Sequence, residues 1–456
     1  MTSTRVVRPA AELRGAVTVP GDKSITHRAV MLNAIAQGTA TVTGAGLGAD
    51  CLSTAACMRT LGATVRRHWP SGACTDDLRR NPQTGVDERA DAVLQVEGVG
   101  TTGLGEPADV LDAGNSGTTA RLLSGILAGQ PFFSVLTGDA SLRSRPMDRV
   151  VTPLQAMGAR ITARRNGALL PLAVAPGHLN GTRLEMRVAS AQLKSCLLLA
   201  GLYADGETEI VQPEASRDHT ERLLAAQGAR IAGEALTLRI EGRPHLAAVD
   251  VAVPGDISSA AFWLVAACIH PNARVTVRNV GVNPTRTGIL DVLREMGATI
   301  SVENERVAGG EPVADVTAES SRLRGVSVGG ATIPRLIDEV PVLAVAASVA
   351  EGTTTIRDAE ELRVKESDRL AATAAELAKL GAPVEEHPDG LTIKGGRLAG
   401  GEVECHADHR MAMSLAVAAL VASGPVFING GECVDISYPS FWPDLERLAP
   451  GSTREV

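Results

Sequence analysis

Basic side chains stand at several predicted helix starts in this chain. In VPGDKSITHRAV (residues 19–30), Asp22 is the predicted helix N-cap, so Lys23 and Ser24 fall in the first turn and Arg28 one turn later. Cations are locally unfavourable there, because the N-terminal end of a helix carries partial positive charge and favours anions. A bound ligand with more than one negative group would stabilise such a cluster.

The same combination recurs along the chain. NSGTTAR contains a small helix start around Gly117 and Thr118, where backbone N–H groups can approach a phosphate. In ASAQLKS, Ser190 is the predicted cap of a helix that carries Gln192 in its first turn. Further helix-start segments hold charged residues: SRPMDR has Arg145 before Pro146, the predicted first helical residue; SRDHTE has Arg217; IDEVP has Asp338 and Glu339; RVKESDR has Lys365 and Arg369, predicted at i and i+4 of one helix; DHRMAMS has His409 and Arg410. Like charges at i and i+4 disfavour a helix by about 0.2–0.5 kcal/mol, so together these segments predict a site for a polyanionic small molecule.

Motifs for other site chemistries are missing from the sequence. ECHADHR brings Cys405, His406 and His409 together, but without the spacing of a tetrahedral zinc site. No GxxxxGK[ST] phosphate loop, no GxSxG elbow and no GxGxxG after the first predicted strand occurs. We therefore expect neither a metal nor another cofactor.

The composition, 44% hydrophobic and 21% charged, is that of a globular protein. The few aromatic residues (Trp 3, Tyr 2, Phe 5) and the net charge of -8 argue against nucleic-acid partners. The seven cysteines form no CxxC pair, which indicates a reducing compartment, and the N-terminal segment lacks the apolar core of a secretory signal. The longest apolar stretch, MAMSLAVAALVASGPVFI, is interrupted and too short to span a bilayer comfortably. We expect a cytoplasmic protein without a membrane partner.

Internal repetition predicts the fold. Six segments rich in small apolar residues are each followed by a β-like run and an amphipathic segment, and five amphipathic segments end on glycine at positions 62, 158, 228, 297 and 381, with Gly451 as the sixth. The first helix type is apolar all round, which predicts burial on every side, whereas the second has one polar face. The terminal glycines are predicted C-caps. The sequence thus predicts an α/β protein of six similar units.

Two near-duplicate segments, AVTVPGD (16–22) and VDVAVPGD (249–256), start the first and fourth units. Each contains a Pro-Gly pair, which marks a turn. We therefore expect two lobes of three units, one at 21–254 and the other made of 1–20 plus 255–456. The crossings at 19–21 and 253–255 would form a hinge, and lobe closure on the ligand is a linked hypothesis.

The motifs GDKSITHR, GNSGTTAR, SRPM, ASAQLKS, SRDHTE, IDE, RVKESDR and DHRMAMS occur in the order found in 5-enolpyruvylshikimate-3-phosphate (EPSP) synthases. From Gly21 to about Pro443 the chain resembles this family of enolpyruvyl transferases, and GDK, SAQLK, RDHTE and NPTR are similar to its class II bacterial members. The resemblance implies a two-lobed inside-out α/β barrel, with three βαβαββ repeats around buried parallel helices in each lobe. It also implies the substrates shikimate 3-phosphate and phosphoenolpyruvate, the inhibitor glyphosate, a place in aromatic amino acid biosynthesis and no cofactor. We expect a monomer.

The resemblance also implies roles for matching positions. The residues that would bind shikimate 3-phosphate, mainly in the first lobe, are Lys23, Ser24, Arg28, Ser190, Ala191, Gln192, Arg217, Asp338 and Lys365. The residues that would bind phosphoenolpyruvate are Lys23, Gly117, Thr118, Arg145, Gln192, Arg369 and Arg410. The second lobe would supply Asp338, Lys365, Glu366, Arg369 and Arg410.

The reaction that the resemblance implies is an addition followed by an elimination. The 5-hydroxyl of shikimate 3-phosphate attacks C2 of phosphoenolpyruvate while C3 is protonated, and the tetrahedral intermediate then expels phosphate. Lys23, Asp338 and Glu366 are the candidate acids and bases, and which group serves which step stays open.

Two positions depart from the family pattern. ISYPSF around Tyr438 stands where many relatives carry a lysine, and we expect no loss of activity from this change. Gly117 stands where strongly glyphosate-tolerant members have alanine, so we expect greater sensitivity to glyphosate than theirs.

Two alternative functions are weighed against this one. UDP-N-acetylglucosamine enolpyruvyl transferases share the fold but generally carry a reactive cysteine near the SRPM position, and residues 136–157 contain none. A non-catalytic binding scaffold would have lost its acid and base groups, yet Lys23, Asp338 and Glu366 are present.

Overall fold

The computed structural model describes residues 3–83, 92–234 and 236–456. The chain divides into two compact units, which we describe separately. The first unit is Gly21–Val253 with Ala308–Glu311, and the second is Met1–Pro20, Pro254–Val307 and Pro312–Val456.

The secondary structure alternates short strands and helices throughout the described ranges. The strands are β1 Thr4–Val7, β2 Leu13–Thr18, β3 Gln37–Ala45, β4 Thr64–His68, β5 Cys74–Thr75, β6 Ala92–Val99, β7 Leu111–Asp112, β8 Ser134–Thr137, β9 Arg160–Ala163, β10 Leu169–Ala175, β11 Arg183–Glu185, β12 Glu207–Val211, β13 Ile231–Glu234, β14 Thr237–Glu241, β15 Val251–Ala252, β16 Ala273–Gly281, β17 Thr299–Ala308, β18 Glu311–Glu319, β19 Ser327–Val328, β20 Thr353–Ile356, β21 Val384–His387, β22 Gly390–Lys394, β23 Gly401–Glu404, β24 Val426–Asn429 and β25 Thr453–Glu455. The helices are α1 Lys23–Ala34, α2 Ala49–Thr60, α3 Gly117–Ala128, α4 Asp148–Ala156, α5 Arg164–Gly167, α6 Ala191–Gly201, α7 His219–Ala226, α8 Ile257–Ile269, α9 Gly288–Glu295, α10 Ile333–Leu336, α11 Val340–Val349, α12 Arg369–Lys379, α13 His409–Ala419 and α14 Phe441–Leu448.

Six small sheets share one pairing pattern. The sheets of the first unit have the orders β15-β3-β6-β4-β5, β7-β8-β10-β9 and β11-β12-β14-β13, and those of the second unit β2-β16-β18-β17, β19-β20-β22-β21 and β23-β24-β1-β25. In every sheet the first pair in this order is parallel. The next pair is antiparallel. The repetition predicted from the sequence is therefore confirmed, as three repeats in each unit.

Strands are exchanged at the two VPGD segments. β2 directly precedes α1 but pairs with β16 of the second unit's sheet, and β15 directly precedes α8 but pairs with β3 of the first unit's sheet. In the neighbouring repeats, the strand before a helix pairs in parallel with the strand after that helix. In these two repeats, the parallel partner at the sheet edge is the exchanged strand instead. The near-duplicate sequences of these segments reflect this common task.

One helix of each repeat lies in the core of its unit. These are α1, α3 and α6 in the first unit and α8, α11 and α13 in the second, and every residue of α13 is buried. Their small residues let backbones approach, since a Cβ added to Gly125 of α3 would lie 2.2 Å from the Cys196 carbonyl oxygen of α6. The prediction that these helices are buried on every side is confirmed.

The outer helices end at glycines, as predicted. Positions 62, 158, 228, 297, 381 and 451 follow α2, α4, α7, α9, α12 and α14, and each has a positive φ between 76° and 108°. This left-handed conformation disfavours residues with a Cβ, so glycine at these positions turns the chain out of the helix and towards the following strand. None of the helices in the described ranges is long and apolar enough to cross a lipid bilayer.

Candidate active site

The start of α1 carries an arginine that three helices hold in place. Arg28 is 3% exposed, and its Nε donates to Thr220 Oγ1 of α7 at 2.6 Å. Its Nη2 donates to Ser195 Oγ of α6 at 2.8 Å, and its Nη1 donates to the Ser24 carbonyl at 2.8 Å. Arg217, just before α7, donates to Ser24 Oγ at 3.4 Å. The predicted residues Ser24, Arg28 and Arg217 therefore lie side by side.

A residue of α2 holds the Lys23 side chain in place. Asp22 caps α1 as predicted, since its Oδ1 accepts the Ile25 N–H at 2.9 Å. The Lys23 ammonium lies 3.0 Å from Asp50 Oδ2, and the Asp50 carbonyl accepts a bond from Thr119 of α3 at 3.4 Å. One residue of α2 thus connects the starts of α1 and α3.

The starts of α3 and α6 meet through side chains. Gln192 donates through Nε2 to Thr118 Oγ1 at 2.9 Å and accepts through Oε1 from Arg121 Nη1 at 2.7 Å. Gly117 lies against the same guanidinium, because a Cβ at this position would be 2.8 Å from Arg121 Nη1 and 3.8 Å from Arg145 Nη1. Two arginines, a glutamine and a helix N-terminus therefore surround one spot, a combination suited to binding an anion. Ser190 caps α6 as predicted, accepting from the Leu193 N–H at 3.3 Å, which places Ala191 as its first helical residue.

Arg145 lies on a loop rather than at a helix start. Its Nη2 donates to Asn115 Oδ1 at 2.7 Å, and its Nη1 donates to the Asn115 carbonyl at 3.3 Å. The prediction that Pro146 is the first residue of the next helix is wrong, since α4 begins at Asp148. The Met147 N–H donates to the Ala168 carbonyl at 2.8 Å, and this bond holds the loop away from helical geometry.

In the second unit, a buried arginine is surrounded by carboxylates. Arg369 is 1% exposed; its Nε donates to Asp408 Oδ2 at 2.8 Å, its Nη2 to Glu366 Oε2 at 2.7 Å and its Nη1 to Asp338 Oδ1 at 3.3 Å. Burial lowers the pKa of Arg369, but these carboxylates more than compensate and raise it above its ordinary value. Burial raises the pKa of Asp408, but the charge of Arg369 outweighs it and holds that pKa below its ordinary value. The protein's own carboxylates therefore stabilise this cation.

Lys365 does not share a helix with Arg369, so the predicted i and i+4 spacing is wrong. RVKESDR contains the end of a 3-10 segment, an extended residue at Lys365 and the cap of α12 at Asp368, whose Oδ1 accepts the Ala371 N–H at 3.1 Å. The Lys365 ammonium lies 3.8 Å from Asp338 Oδ1. Burial lowers the pKa of Lys365, and the attraction of Asp338 offsets this only in part.

Arg410 completes this charged cluster from the first turn of α13. Its Nη1 donates to the Asp338 carbonyl at 3.2 Å and lies 4.0 Å from Glu339 Oε1. Glu339 is buried and accepts a bond from Ser258, which in turn accepts from Arg286 at 2.7 Å. The predicted residues Asp338, Lys365, Glu366, Arg369 and Arg410 are thus one group within the second unit.

Tyr438, in the ISYPSF segment, is part of the core. It is fully buried, and its hydroxyl accepts from Trp263 Nε1 at 3.0 Å and donates to Asp444 Oδ2 at 3.0 Å. The aromatic ring of Tyr438 also packs edge-on against Phe441. Its place is therefore structural.

Four charged residues of these groups were given no role at the predicted site, although Arg121 and Glu339 lie in two of the helix-start segments that predicted it. They are Asp50 and Arg121 in the first unit and Glu339 and Asp408 in the second. Arg121 carried a usable signal, because it follows Gly117 by four residues and so lies on the same helix face.

Cys405 and Cys433, which lie far apart in the sequence, are in contact, with their Sγ atoms 3.5 Å apart. In the described ranges no group of three or more His, Cys, Asp or Glu side chains is placed to hold a metal ion.

Comparisons with known proteins agree with this arrangement. A family model described as EPSP synthase (3-phosphoshikimate 1-carboxyvinyltransferase) matches residues 7–445. Proteins named 3-phosphoshikimate 1-carboxyvinyltransferase from Synechococcus sp. (strain JA-3-3Ab) and Desulforudis audaxviator are 56% and 55% identical, covering 96% and 98% of this chain and 95% and 99% of their own lengths. A 2.37 Å structure of EPSP synthase from Acinetobacter baumannii is 42% identical over 100% of both chains, with a TM-score of 0.84. The chain therefore has the EPSP synthase fold and belongs to the EPSP synthase family of transferases.

Proposed function

We propose that this protein transfers the enolpyruvyl group of phosphoenolpyruvate to the 5-hydroxyl of shikimate 3-phosphate and releases phosphate, a step of aromatic amino acid biosynthesis. The observation that carries the proposal is the family match over residues 7–445. Both substrates are acidic, and both units offer cations held in defined positions.

Shikimate 3-phosphate is held mainly by residues of the first unit in this proposal. Arg217 and Ser190 bind its phosphate, and Ser24, Arg28, Ala191 and Gln192 complete that set. Arg28 supports this assignment, because residues of three helices hold its guanidinium through hydrogen bonds of 2.6–2.8 Å. Asp338 and Lys365 of the second unit contact hydroxyl groups of the same substrate.

Phosphoenolpyruvate is held by Arg145, Arg369 and Arg410 through its phosphate and carboxylate, while Gly117, Thr118 and Gln192 line its pocket. Lys23 contacts both substrates. Guanidinium groups are suited to this task, because their planar N–H forks match the oxygens of both anionic groups. Fixed cations also stabilise the charge that develops on the departing phosphate.

Lys23, Asp338 and Glu366 carry out the proton transfers. The addition step needs an acid for C3 of phosphoenolpyruvate and a base for the attacking hydroxyl, and the elimination step reverses these roles. Lys23 lies 3.0 Å from Asp50 in the first unit and Asp338 lies 3.8 Å from Lys365 in the second, so each of these two candidates has an oppositely charged neighbour within its own unit. pH–rate profiles of Lys23→Met, Asp338→Asn and Glu366→Gln separate the roles, because each variant removes the limb of the profile that its group controls.

Phosphate release from phosphoenolpyruvate tests the proposal against its alternatives. The protein should release phosphate when shikimate 3-phosphate is the acceptor and none when UDP-N-acetylglucosamine is the acceptor. Release with the UDP-sugar alone would assign the chain to the other enolpyruvyl transfer reaction. Release with neither acceptor would leave a binding scaffold.

Glyphosate should inhibit this protein, and Gly117 should set the strength of inhibition. The close approach of a Cβ at position 117 to Arg121 Nη1, at 2.8 Å, supports a size limit at this position. Gly117→Ala should therefore raise the glyphosate concentration needed for half-inhibition. Equal inhibition of both proteins would show that side-chain volume here has no effect.

The same proposal places the protein in the cytoplasm as a monomer. Its seven free cysteines suit a reducing compartment. Light scattering at assay concentration should give the mass of one 47.2 kDa chain. A dimer mass would refute the monomer.

A further inference from the structure

We propose that Arg121 is a positioning residue of the phosphoenolpyruvate pocket, which orients the Gln192 side chain and occupies the space above Gly117. The inference rests on the proposed function, because it assigns a role within the same site. It extends that function by naming a residue that determines specificity without contacting the reacting atoms.

Arg121 connects three parts of the first unit from a nearly buried position. It is 5% exposed and lies on α3, one turn after Gly117. Its Nη1 donates to Gln192 Oε1 of α6 at 2.7 Å, and its Nη2 donates to the Pro146 carbonyl at 3.3 Å, next to Arg145. One guanidinium therefore joins α3, α6 and the loop that carries Arg145.

The bond to Gln192 determines which end of the amide faces each neighbour. A guanidinium only donates hydrogen bonds, so Gln192 must turn its carbonyl oxygen towards Arg121. The amide nitrogen then faces Thr118, to which one of its two N–H groups donates at 2.9 Å. The second N–H can donate to an anionic group of the substrate. Loss of Arg121 would let the amide rotate and offer its oxygen instead, which repels an anion.

Gly117 leaves the space that the guanidinium uses. A Cβ at position 117 would lie 2.8 Å from Arg121 Nη1 and 3.6 Å from its Cζ, closer than ordinary van der Waals contact for the first of these atoms. The contacted atom is the end of a flexible side chain, so alanine at position 117 would displace Arg121. A larger residue at 117 thereby changes the pocket through Gln192 as well as by its own volume.

A double-mutant cycle on Arg121→Met and Gln192→Ala tests the connection. Arg121→Met should raise KM for phosphoenolpyruvate roughly tenfold, as expected when a charge-assisted hydrogen bond is lost, with a smaller change in kcat. In the Gln192→Ala background the same substitution should change KM by less than about threefold. Arg121→Lys, which retains the charge but not the planar fork, should give an intermediate KM. Arg160→Met, at an exposed position of β9, is the matched control and should leave KM unchanged.

A second cycle tests the connection to Gly117. Gly117→Ala should raise KM for phosphoenolpyruvate in the wild-type background and raise it less in the Arg121→Met background, because the displaced group is then absent. Additive effects in both cycles would overturn the proposal. Thermal unfolding shows whether each variant folds. If Arg121→Met does not fold, Arg121→Lys replaces it in both cycles.

Calorimetric titration with phosphoenolpyruvate separates this inference from the proposed function. It measures the same two couplings as changes in Kd, without turnover. Additive Kd changes in a wild-type enzyme that releases phosphate would refute the role of Arg121 alone. Absence of wild-type turnover with shikimate 3-phosphate would refute the proposed function, and with it the inference that rests on that function.

Discussion

Individual cations in the two units are stabilised by different means. Arg28 in the first unit is held by hydroxyl and carbonyl oxygens at 2.6–2.8 Å, whereas Arg369 in the second unit is held by three carboxylates at 2.7–3.3 Å. Sequence reasoning predicted that a ligand must offset the repulsion between the clustered cations. That argument applies less well to Arg369, because the acids that compensate it come from the protein itself.

The Asp408–Arg369 pair should be necessary for stability. Asp408→Ala leaves a buried guanidinium with one carboxylate fewer and removes the N-cap that accepts the Arg410 N–H at 2.9 Å. Removing one partner of a buried ion pair costs roughly 3–5 kcal/mol, and we expect a loss of this size in the free energy of unfolding. Urea denaturation measures it, with exposed Glu385→Ala as the control. A loss similar to that of the control would contradict this account.

His27 should make stability depend on pH. The His27 side chain is fully buried. Burial, together with the positive charges of Lys23 and Arg28, holds the pKa of His27 well below its ordinary value. An unfolded histidine titrates near about pH 6.5, so between that pH and the native pKa the unfolded chain binds a proton that the native chain does not. The free energy of unfolding should therefore fall as pH falls through this range, by at most about 1.4 kcal/mol per pH unit.

Urea denaturation at about pH 7.5 and about pH 5.5 checks the contribution of His27. Wild type should lose more stability on acidification than His27→Gln does. Exposed His245→Gln should lose as much as wild type. An equal loss in wild type and His27→Gln would show that another group carries the pH dependence.

At the scale of elements, helix starts were predicted where a capping side chain is the local determinant. Asp22 and Ser190 cap α1 and α6 as expected. The start of α4 was misjudged because it depends on the bond from the Met147 N–H to the Ala168 carbonyl. The start of α12 was misjudged although its cap at Asp368 is a local signal, because Lys365 and Arg369 were read as one helix. Local sequence carries cap signals, but it does not show tertiary hydrogen bonds.

Gly381, the glycine after α12, should matter for its backbone conformation rather than for space. Gly381 has a φ of 85°, and no atom lies within 4 Å of an added Cβ. Gly381→Ala should therefore lower the free energy of unfolding by about 1–2 kcal/mol, the cost of a left-handed residue with a Cβ. Gly396 has equal space but no positive φ, so Gly396→Ala is the matched control and should change stability little. Equal effects of the two substitutions would contradict the conformational argument.

At the scale of the whole molecule, repetition in the sequence predicted the architecture well. Glycine spacing and fully apolar helices led to six repeats, and the sheets show them. It was harder to predict from the sequence which residues come together in the two charged groups. Arg121 and Gln192 are 71 residues apart, and Arg369 and Asp408 are 39 residues apart, so only the packing of separate repeats brings each pair together.

If cations held in place by the fold recognise the two acidic substrates, removing one cation should weaken the binding of one substrate and not of the other. Initial rates of Arg217→Met and Arg145→Met are measured with each substrate varied in turn. Loss of a hydrogen bond to a charged group corresponds to roughly tenfold or more in affinity. Arg217→Met should raise KM for shikimate 3-phosphate by that factor and leave KM for phosphoenolpyruvate nearly unchanged, and Arg145→Met should do the reverse. Equal effects on both substrates in both variants, or no effect in either, would contradict the account.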